Sequence, residues 1–434
     1  MMNAEHISYD YIIIGGGISG LYALKRLHDK YGKNIKVALF DDRDYIGGRI
    51  RTHKLHGYEI GAARFNDNHT SLLSLIKKYK LTPYKLQSLV NYIHVENQKI
   101  ITYHDAHRTF NNIMRNIIQH SKKESDSLLQ SMTLEKYIDF ITKDSNLSEK
   151  LINIFGYYSE MCIMNAYDSL KSFEKDFVSN QFYVLSEGLS TLCEKMSDEY
   201  GTFYDIHMNT SVLSVAYNPN RDMKKNKGIV QFNVTTQNTK TKKKLHYACE
   251  NVVFATKAHQ LHQFDILKRI HPLLSKIHSA PLLRIYAKYP VQKGKVWFSD
   301  IPRCTTNNIL RQIIPINYDT GIIMVSYTDG TDIAPFFRDK TKQNLKSNKI
   351  LKKMIQSELK TLFGIHDIPE PLHFESYLWH VGAHHWKPNA RSVELIKSIC
   401  FPEPNIYVVG EAFSHNQAWI EGALNSVDNI LSSI

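Results

Sequence analysis

The sequence predicts an α/β fold in which a strand–helix–strand core is assembled from separated parts of the chain, joined by a mixed-sheet domain and a helical insertion. Three observations predict it. A β-branched apolar run, "YDYIII", ends at "GGG" and is followed by a helical pattern and a short second strand, "KVALFDD" (36–42). Residues 106–180 are poor in glycine and helical in period, whereas 183–256 and 282–328 are rich in short strands. Near the end, "NIYVVGEAF" reads as one more strand and "EGALNSVDNILSSI" as a last helix. A domain gathered from the first, middle and final thirds accounts for that alternation.

Each element has its own warrant. A strand buried on both faces of a parallel sheet reads as a continuous apolar run, as "YDYIII" does. In "ISGLYALKRLHDKYG", Leu21, Leu24, Leu27 and Tyr31 recur at helical spacing, and Gly32 closes the helix. The helical insertion is broken by capping sites at Ser131, Thr133 and Ser148. A long helix is expected around 340–363. The predicted domains are 1–85, 183–280 and 375–434 for the first, 86–182 for the helical insertion, and 281–374 for the second domain.

Composition narrows the function classes. Hydrophobic residues at 43% and charged residues at 22% describe an ordinary globular protein. No run reaches the ~18–20 apolar residues of a membrane span, and the N-terminus leaves no room for a signal peptide, so a soluble, cytoplasmic or otherwise intracellular protein is expected. Five scattered cysteines without a CxxC pair suggest neither a disulfide framework nor a zinc site. The formal charge of +12 invites a nucleic-acid reading, but much of it sits in "RDMKKNKG" (221–228) and "TKTKKK" (239–244), which read as solvated hairpin tips. No nucleic-acid partner, membrane or metal is expected, and the oligomeric state is not legible.

The first chemical motif is Gly15-x-Gly17-x-x-Gly20, between a predicted strand and a predicted helix, with Asp41 at the end of the next strand. In that context the first glycine permits a tight turn, the second lets backbone approach a pyrophosphate, and the third lets helix pack on strand. The amides of Ile18, Ser19 and Gly20 offer an anion site at the helix N-terminus. Asp41, beside Asp42, can accept ribose hydroxyls. This is a Rossmann-like dinucleotide fingerprint, and alone it does not separate NAD from FAD.

The next stretch does. "DDRDYIGGRIRT" (41–52) carries Arg43 and Gly47-Gly48-Arg49, and the chain ends in "VVGEAFSHNQAWIEGAL" (408–424). Together these resemble the FAD-dependent flavin amine oxidase superfamily, which includes monoamine, polyamine and L-amino-acid oxidases, and the resemblance runs in order over essentially the whole chain. It implies a discontinuous FAD-binding domain, with Arg43 and Arg49 meeting diphosphate or ribose and the glycine pair close to the cofactor. By the same resemblance Gly410 and Glu411 face the ribityl chain, Val212 contacts adenine through its backbone, and Trp419, Ile420 and Ala423 begin the helix beneath the flavin. A capping role is the structural alternative for Glu411. The position of the cysteine that carries covalent FAD in some members falls nearest Ala383, and Cys400 falls too late, so non-covalent FAD is expected.

On the substrate side, "GYEIGAARFNDNH" (57–69) sets Gly61, Ala62 and Ala63 before Arg64. The segment is similar to the "GxMRF" pattern of L-amino-acid oxidases, in which the arginine grips the substrate carboxylate. Pairing of Arg64 with a protein acid or the flavin is the alternative. "IIMVSYTDG" (322–330) resembles the strand whose tyrosine shares that carboxylate, which nominates Tyr327. Trp419 and His384 match the aromatic clamp of the family, with His384 replacing the usual tyrosine. In "APLLRIYAKYP" (280–290), Arg284 stands where the family carries a lysine that assists oxygen, with Lys288 four residues further on. The resemblance thus implies hydride transfer from an amine, most of all an L-amino acid, to flavin N5, giving an imine and keto acid, ammonia and hydrogen peroxide. Polyamine or monoamine oxidation is the first alternative, and an FAD-binding protein with little turnover the second.

Overall fold

A computed structural model describes residues 7–97, 99–177, 181–219, 231–339, 341 and 343–432. The lysine-rich stretch 221–228 lies outside the described residues.

The chain opens with β1 (Ile7–Ile14), α1 (Ile18–Tyr31) and β2 (Val37–Phe40), then β3 (Phe65–Asn66), α2 (Thr70–Lys78) and β4 (Pro83–Lys85). Two strands, β5 (Val90–Glu96) and β6 (Lys99–Tyr103), precede the helices α3 (Ala106–Ser121), α4 (Asp126–Ser131), α5 (Leu134–Thr142), α6 (Ser145–Phe155), α7 (Ser159–Cys162) and α8 (Ala166–Ser172). Next come β7 (Phe182–Leu185), α9 (Leu189–Gly201), β8 (Asp205–His207), β9 (Thr210–Tyr217), β10 (Phe232–Asn238), β11 (Lys244–Phe254) and α10 (His271–Leu274). The strands β12 (Ile277–Lys288), β13 (Arg303–Thr306), β14 (Gln312–Asn317) and β15 (Ile322–Asp329) lead to α11 (Asn348–Phe363) and β16 (His373–Trp386). The last elements are α12 (Ser392–Cys400), β17 (Ile406–Val408) and α13 (Ile420–Leu431).

These elements form two compact units. The first comprises Met1–Lys85, Phe182–Ile277 and Arg391–Ile434, and the second Leu86–Gln181 and His278–Ala390.

In the first unit β1 runs parallel between β2 and β11, with β8 outside β2. Ile12, Ile13 and Ile14 reach the sheet's interior, the first two with no exposure, which is why that run carries no polar alternation. β11 serves two partners along its length: Lys244–Cys249 pair antiparallel with β10, and Val252–Phe254 pair parallel with β17. The carboxyl ends of β2, β1, β11 and β17 therefore face the same way, where open α/β sheets bind ligands. Leu21, Leu24 and Leu27 of α1 are wholly buried, as their spacing requires. The lysines after Asn238 occupy the exposed β10–β11 turn. A small sheet, β3-β7-β4, completes the unit.

The second unit holds a seven-stranded sheet in the order β16-β12-β15-β14-β13-β5-β6. Leu283, Ile285, Ile323 and Val325 of the sheet share one core with Leu351, Ile355 and Leu359 of α11. The stretch 86–182 is thus more than a helical insertion, because β5 pairs parallel with β13 and brings β6 with it. Residues 375–390, assigned from the sequence to the cofactor domain, fall in this second unit, since β16 is a sheet strand beside β12.

Local details depart from the sequence reading in two places. α11 begins at Asn348, not near 340, because Arg338 N bonds to Asn344 O and Lys346 N to Phe336 O, closing a loop before the helix. Thr133 caps α5 by accepting from Lys136 N, but Ser148 lies inside α6 and Ser131 ends α4. The cap of α6 is Asp144, whose carboxylate accepts from Asn146 N and Leu147 N. Among the described residues no helix is long and apolar enough to cross a membrane.

Candidate active site

β1 passes to α1 through Gly15–Gly17. At Gly15 φ is +113° and a Cβ would come 2.5 Å from Ala255 O, while a Cβ at Gly20 would come 2.0 Å from Gly15 O. Both positions exclude any larger residue. At Gly17 a Cβ would meet nothing within 4 Å, so the N-terminus of α1 opens on free space. The first-turn amides of Ile18, Ser19 and Gly20 have no intrahelical acceptor there. Gly47 and Gly48 pack against this turn: Gly47 N donates to Gly16 O at 2.9 Å, and a Cβ at Gly48 would come 3.2 Å from Gly17 Cα.

Polar groups surround the turn. Asp41 accepts from Gly16 N at 2.6 Å through one oxygen and from Arg43 N at 2.9 Å through the other. Burial raises its pKa, and those two amides partly offset the rise. Asp42 beside it is exposed. Arg43 donates to the Tyr45 hydroxyl and to Gly48 O, and Tyr45 was not marked by the sequence reading. Arg49 and Glu411 form an ion pair of 2.6 Å, and the second Glu411 oxygen accepts from Ala418 N at 2.9 Å, where φ is +67°. Glu411 thus orders the loop that delivers Trp419. Gly410 N donates to Ser426 Oγ, and Ile420 and Ala423 are buried at the start of α13. On β9, Val212 is buried beside a register shift that leaves Leu213 out of the ladder with β10. A glycine cradle under a helix N-terminus, with paired cations and an acid at the next strand end, fits a dinucleotide diphosphate and ribose.

The substrate-side residues of the first unit come together through strand register. β3 pairs with β7 as Phe65↔Tyr183 and Asn66↔Phe182, which carries Phe182 to the segment after Arg64. Ala62 N, donating to Arg49 O at 2.9 Å, ties the preceding residues to the cofactor loop. The Arg64 guanidinium lies 4.5 Å from the Phe182 ring centre and 5.8 Å from that of Trp419. Those two rings are near-parallel, 9° apart with centroids 6.1 Å apart, and His69 meets the Trp419 ring edge-on at 4.9 Å. Ala62, Ala63 and Arg64 are half-buried and Gly61 is buried. Phe182 had been read only as a strand residue. Its role rests on a pairing between strands more than a hundred residues apart, which local pattern does not reveal.

Glu421 holds this arrangement from behind. It is 2% exposed and accepts from Ser71 N and Leu72 N, both at 3.0 Å, so it caps α2 from α13. Glu421→Gln keeps the shape but removes the charge that favours two amides at a helix N-terminus. Chemical denaturation is expected to show a loss of about 1.5–3 kcal/mol, the worth of hydrogen bonds to a charged group.

In the second unit Arg284 and Tyr327 face each other across β12 and β15. Arg284, 5% exposed, donates to the Tyr327 hydroxyl at 3.3 Å and lies 4.6 Å over its ring. Burial works against the guanidinium charge, but Tyr327 and Tyr286 outweigh it and hold the pKa above the ordinary arginine value. Tyr157 packs edge-on against Tyr327. His384 is fully buried on β16, next to half-buried Ala383, and Lys288 lies at the far end of β12. Within the first unit Arg64 and Trp419 come together, and within the second Arg284 and Tyr327 do.

A family model described as flavin containing amine oxidoreductase matches residues 18–427. An uncharacterised protein of Acanthamoeba polyphaga mimivirus is 22% identical over 98% of this chain and 93% of its own length. The flavin-containing amine oxidase B of Canis lupus familiaris is 36% identical over 88 residues, 20% of this chain and 16% of that enzyme. Among solved structures, wild-type putrescine oxidase bound to putrescine gives a TM-score of 0.76 at 14% identity, covering 98% of this chain and 99% of the other.

Proposed function

The chain belongs to the flavin-containing amine oxidoreductase family, and from that premise we propose that it oxidises the C–N bond of an α-amino acid. As a member it is an FAD enzyme that acts on amines. The finer reading adds an L-amino acid as substrate, a keto acid and ammonia as products, and O2 as acceptor with release of hydrogen peroxide.

One observation carries it: the Arg64 cation stacked on Phe182 and beside Trp419. An aromatic pair in an amine oxidase is suited to hold a cationic or neutral amine. Here a protein cation lies against that pair, and it would repel a polyamine. The guanidinium is a planar fork, the geometry that makes two parallel bonds to a carboxylate. The guanidinium is half-buried, and reduced hydration strengthens a charged hydrogen bond. Arg64 would thus fix the carboxylate end of the substrate, while Trp419 limits where its amine lies. When bound, FAD supplies the two-electron acceptor for the C–N oxidation. Arg284 offers a permanent positive charge, because arginine does not deprotonate at working pH. Tyr327 is carried as a carboxylate partner on resemblance alone, its hydroxyl being engaged by Arg284.

Amines without a carboxylate are the second reading, favoured by the local identity to amine oxidase B. An anaerobic panel separates them: bleaching by spermine or tyramine, with no amino acid effective, would remove the carboxylate from the account.

FAD is held here without a covalent bond in this reading. Cys400 is buried at the end of α12, its Sγ 3.7 Å from Phe413 O, and alanine stands at position 383. Acid precipitation is expected to leave all flavin in the supernatant; yellow pellet after washing would contradict this.

A further inference from the structure

We propose that Lys257 is a third cation of the dinucleotide site, contributing to the grip on the diphosphate alongside Arg43 and Arg49. The inference rests on the FAD site and is independent of which amine is oxidised.

β11 ends at Phe254, and its carboxyl end lies between those of β1 and β17. The next two residues line the crevice: Ala255 O would touch a Cβ at Gly15, and Thr256 O lies 3.8 Å from where a Cβ of Gly410 would be. Lys257 follows directly, with its backbone N–H donating to Gln260 Oε1 to start a 3-10 turn over Ala258–Gln263. Its chain position is therefore set by the two glycines that also frame the cofactor site.

The surrounding charge is unusual. Lys257 is half-buried, within electrostatic reach of Arg43 and Arg49 and of Asp41 and Asp42. Among the described residues its ammonium forms no ion pair. Arg49 is matched by Glu411, and the Asp41 carboxylate is occupied by Gly16 and Arg43 amides. Arg43 and Lys257 are a like-charge pair, with Asp41 and Asp42 offsetting part of that charge. Burial first, then Arg43 and Arg49, depress the lysine to about 8. Arg43, Arg49 and Lys257, gathered beyond the strand ends, suit a doubly charged anion, and a diphosphate has that charge.

The consequence follows by linkage. Binding an anion raises the ammonium pKa above its free value of about 8, so the charged form binds more tightly. Cofactor affinity should be full below that value and fall as pH rises through it. The permanently charged Arg43 and Arg49 add no such slope.

Dissociation of FAD on dilution of the holoprotein, read by the rise in flavin fluorescence, tests this without turnover. Wild type should bind FAD about 10-fold more weakly at pH 9.5 than at pH 7. Lys257→Met should bind it about 10- to 100-fold more weakly than wild type at pH 7, the loss of one charge-assisted contact, with little further change at pH 9.5. Lys257→Arg should bind tightly and flatly at both pH values, and it keeps the test open if the methionine variant fails to fold. Equal FAD affinity in wild type and Lys257→Met at pH 7, or wild-type alkaline weakening that persists in Lys257→Arg, would overturn the proposal.

Discussion

Arg64→Ala should lower kcat/KM for amino acids by about two to three orders of magnitude while the purified protein remains yellow. The expected size follows from truncating one partner of a desolvated, hydrogen-bonded charge pair, which costs about 3–4 kcal/mol. Its stacking on Phe182 and Trp419 makes the guanidinium a fixed feature of the wall, so little rotamer freedom remains to be lost on binding. Arg64→Lys should recover only part of the loss, because an ammonium cannot make two parallel bonds in one plane. Steady-state kinetics with an amino acid and with the amine lacking its carboxylate distinguish the roles. A comparable loss for both substrates would make Arg64 a structural residue.

The second large effect is expected at Glu411. Replacing it by alanine leaves Arg49 without the acid 2.6 Å away and removes the acceptor that holds Ala418 N. Breaking a largely buried pair from one side costs about 3–5 kcal/mol. The released loop leads directly to Trp419, so both FAD retention and resistance to denaturant should fall. Glu411→Gln keeps an acceptor for Ala418 N and should lose less. Flavin content per protein and urea unfolding, measured together, check this. Unchanged stability in the alanine variant would show that the pair is compensated elsewhere.

How much of this was legible in the sequence depended on the range of each interaction. The βαβ unit was read from a β-branched run, a glycine turn and a 3.6-residue period, all of which are local, and β1, α1 and β2 appear where those signals put them. Gly15 was marked for a tight turn and Gly20 for close helix packing, and their missing side chains face Ala255 O and Gly15 O. The role of β16 was missed because its partner β12 lies far upstream, and alternation alone does not say which sheet a strand joins. Phe182 and Glu421 were missed for a related reason. An aromatic strand residue and a helix carboxylate are ordinary until long-range pairing sets one on Arg64 and the other at the start of α2. Ser148 shows the opposite failure: a good capping residue type was outcompeted by Asp144, whose carboxylate stands one turn earlier. Lys257 carried no motif, and only the fold brings it into the field of Arg43 and Arg49.

Whether a carboxylate meets Arg64 is read directly from flavin reduction. Anaerobic flavin reduction should be followed with matched pairs, each an L-amino acid and the amine formed by removing its carboxylate. The account predicts rapid bleaching by at least one amino acid and reduction slower by about two orders of magnitude or more by its decarboxylated partner. Faster reduction by the decarboxylated amine across the panel, or by a diamine with no amino acid effective, would contradict it.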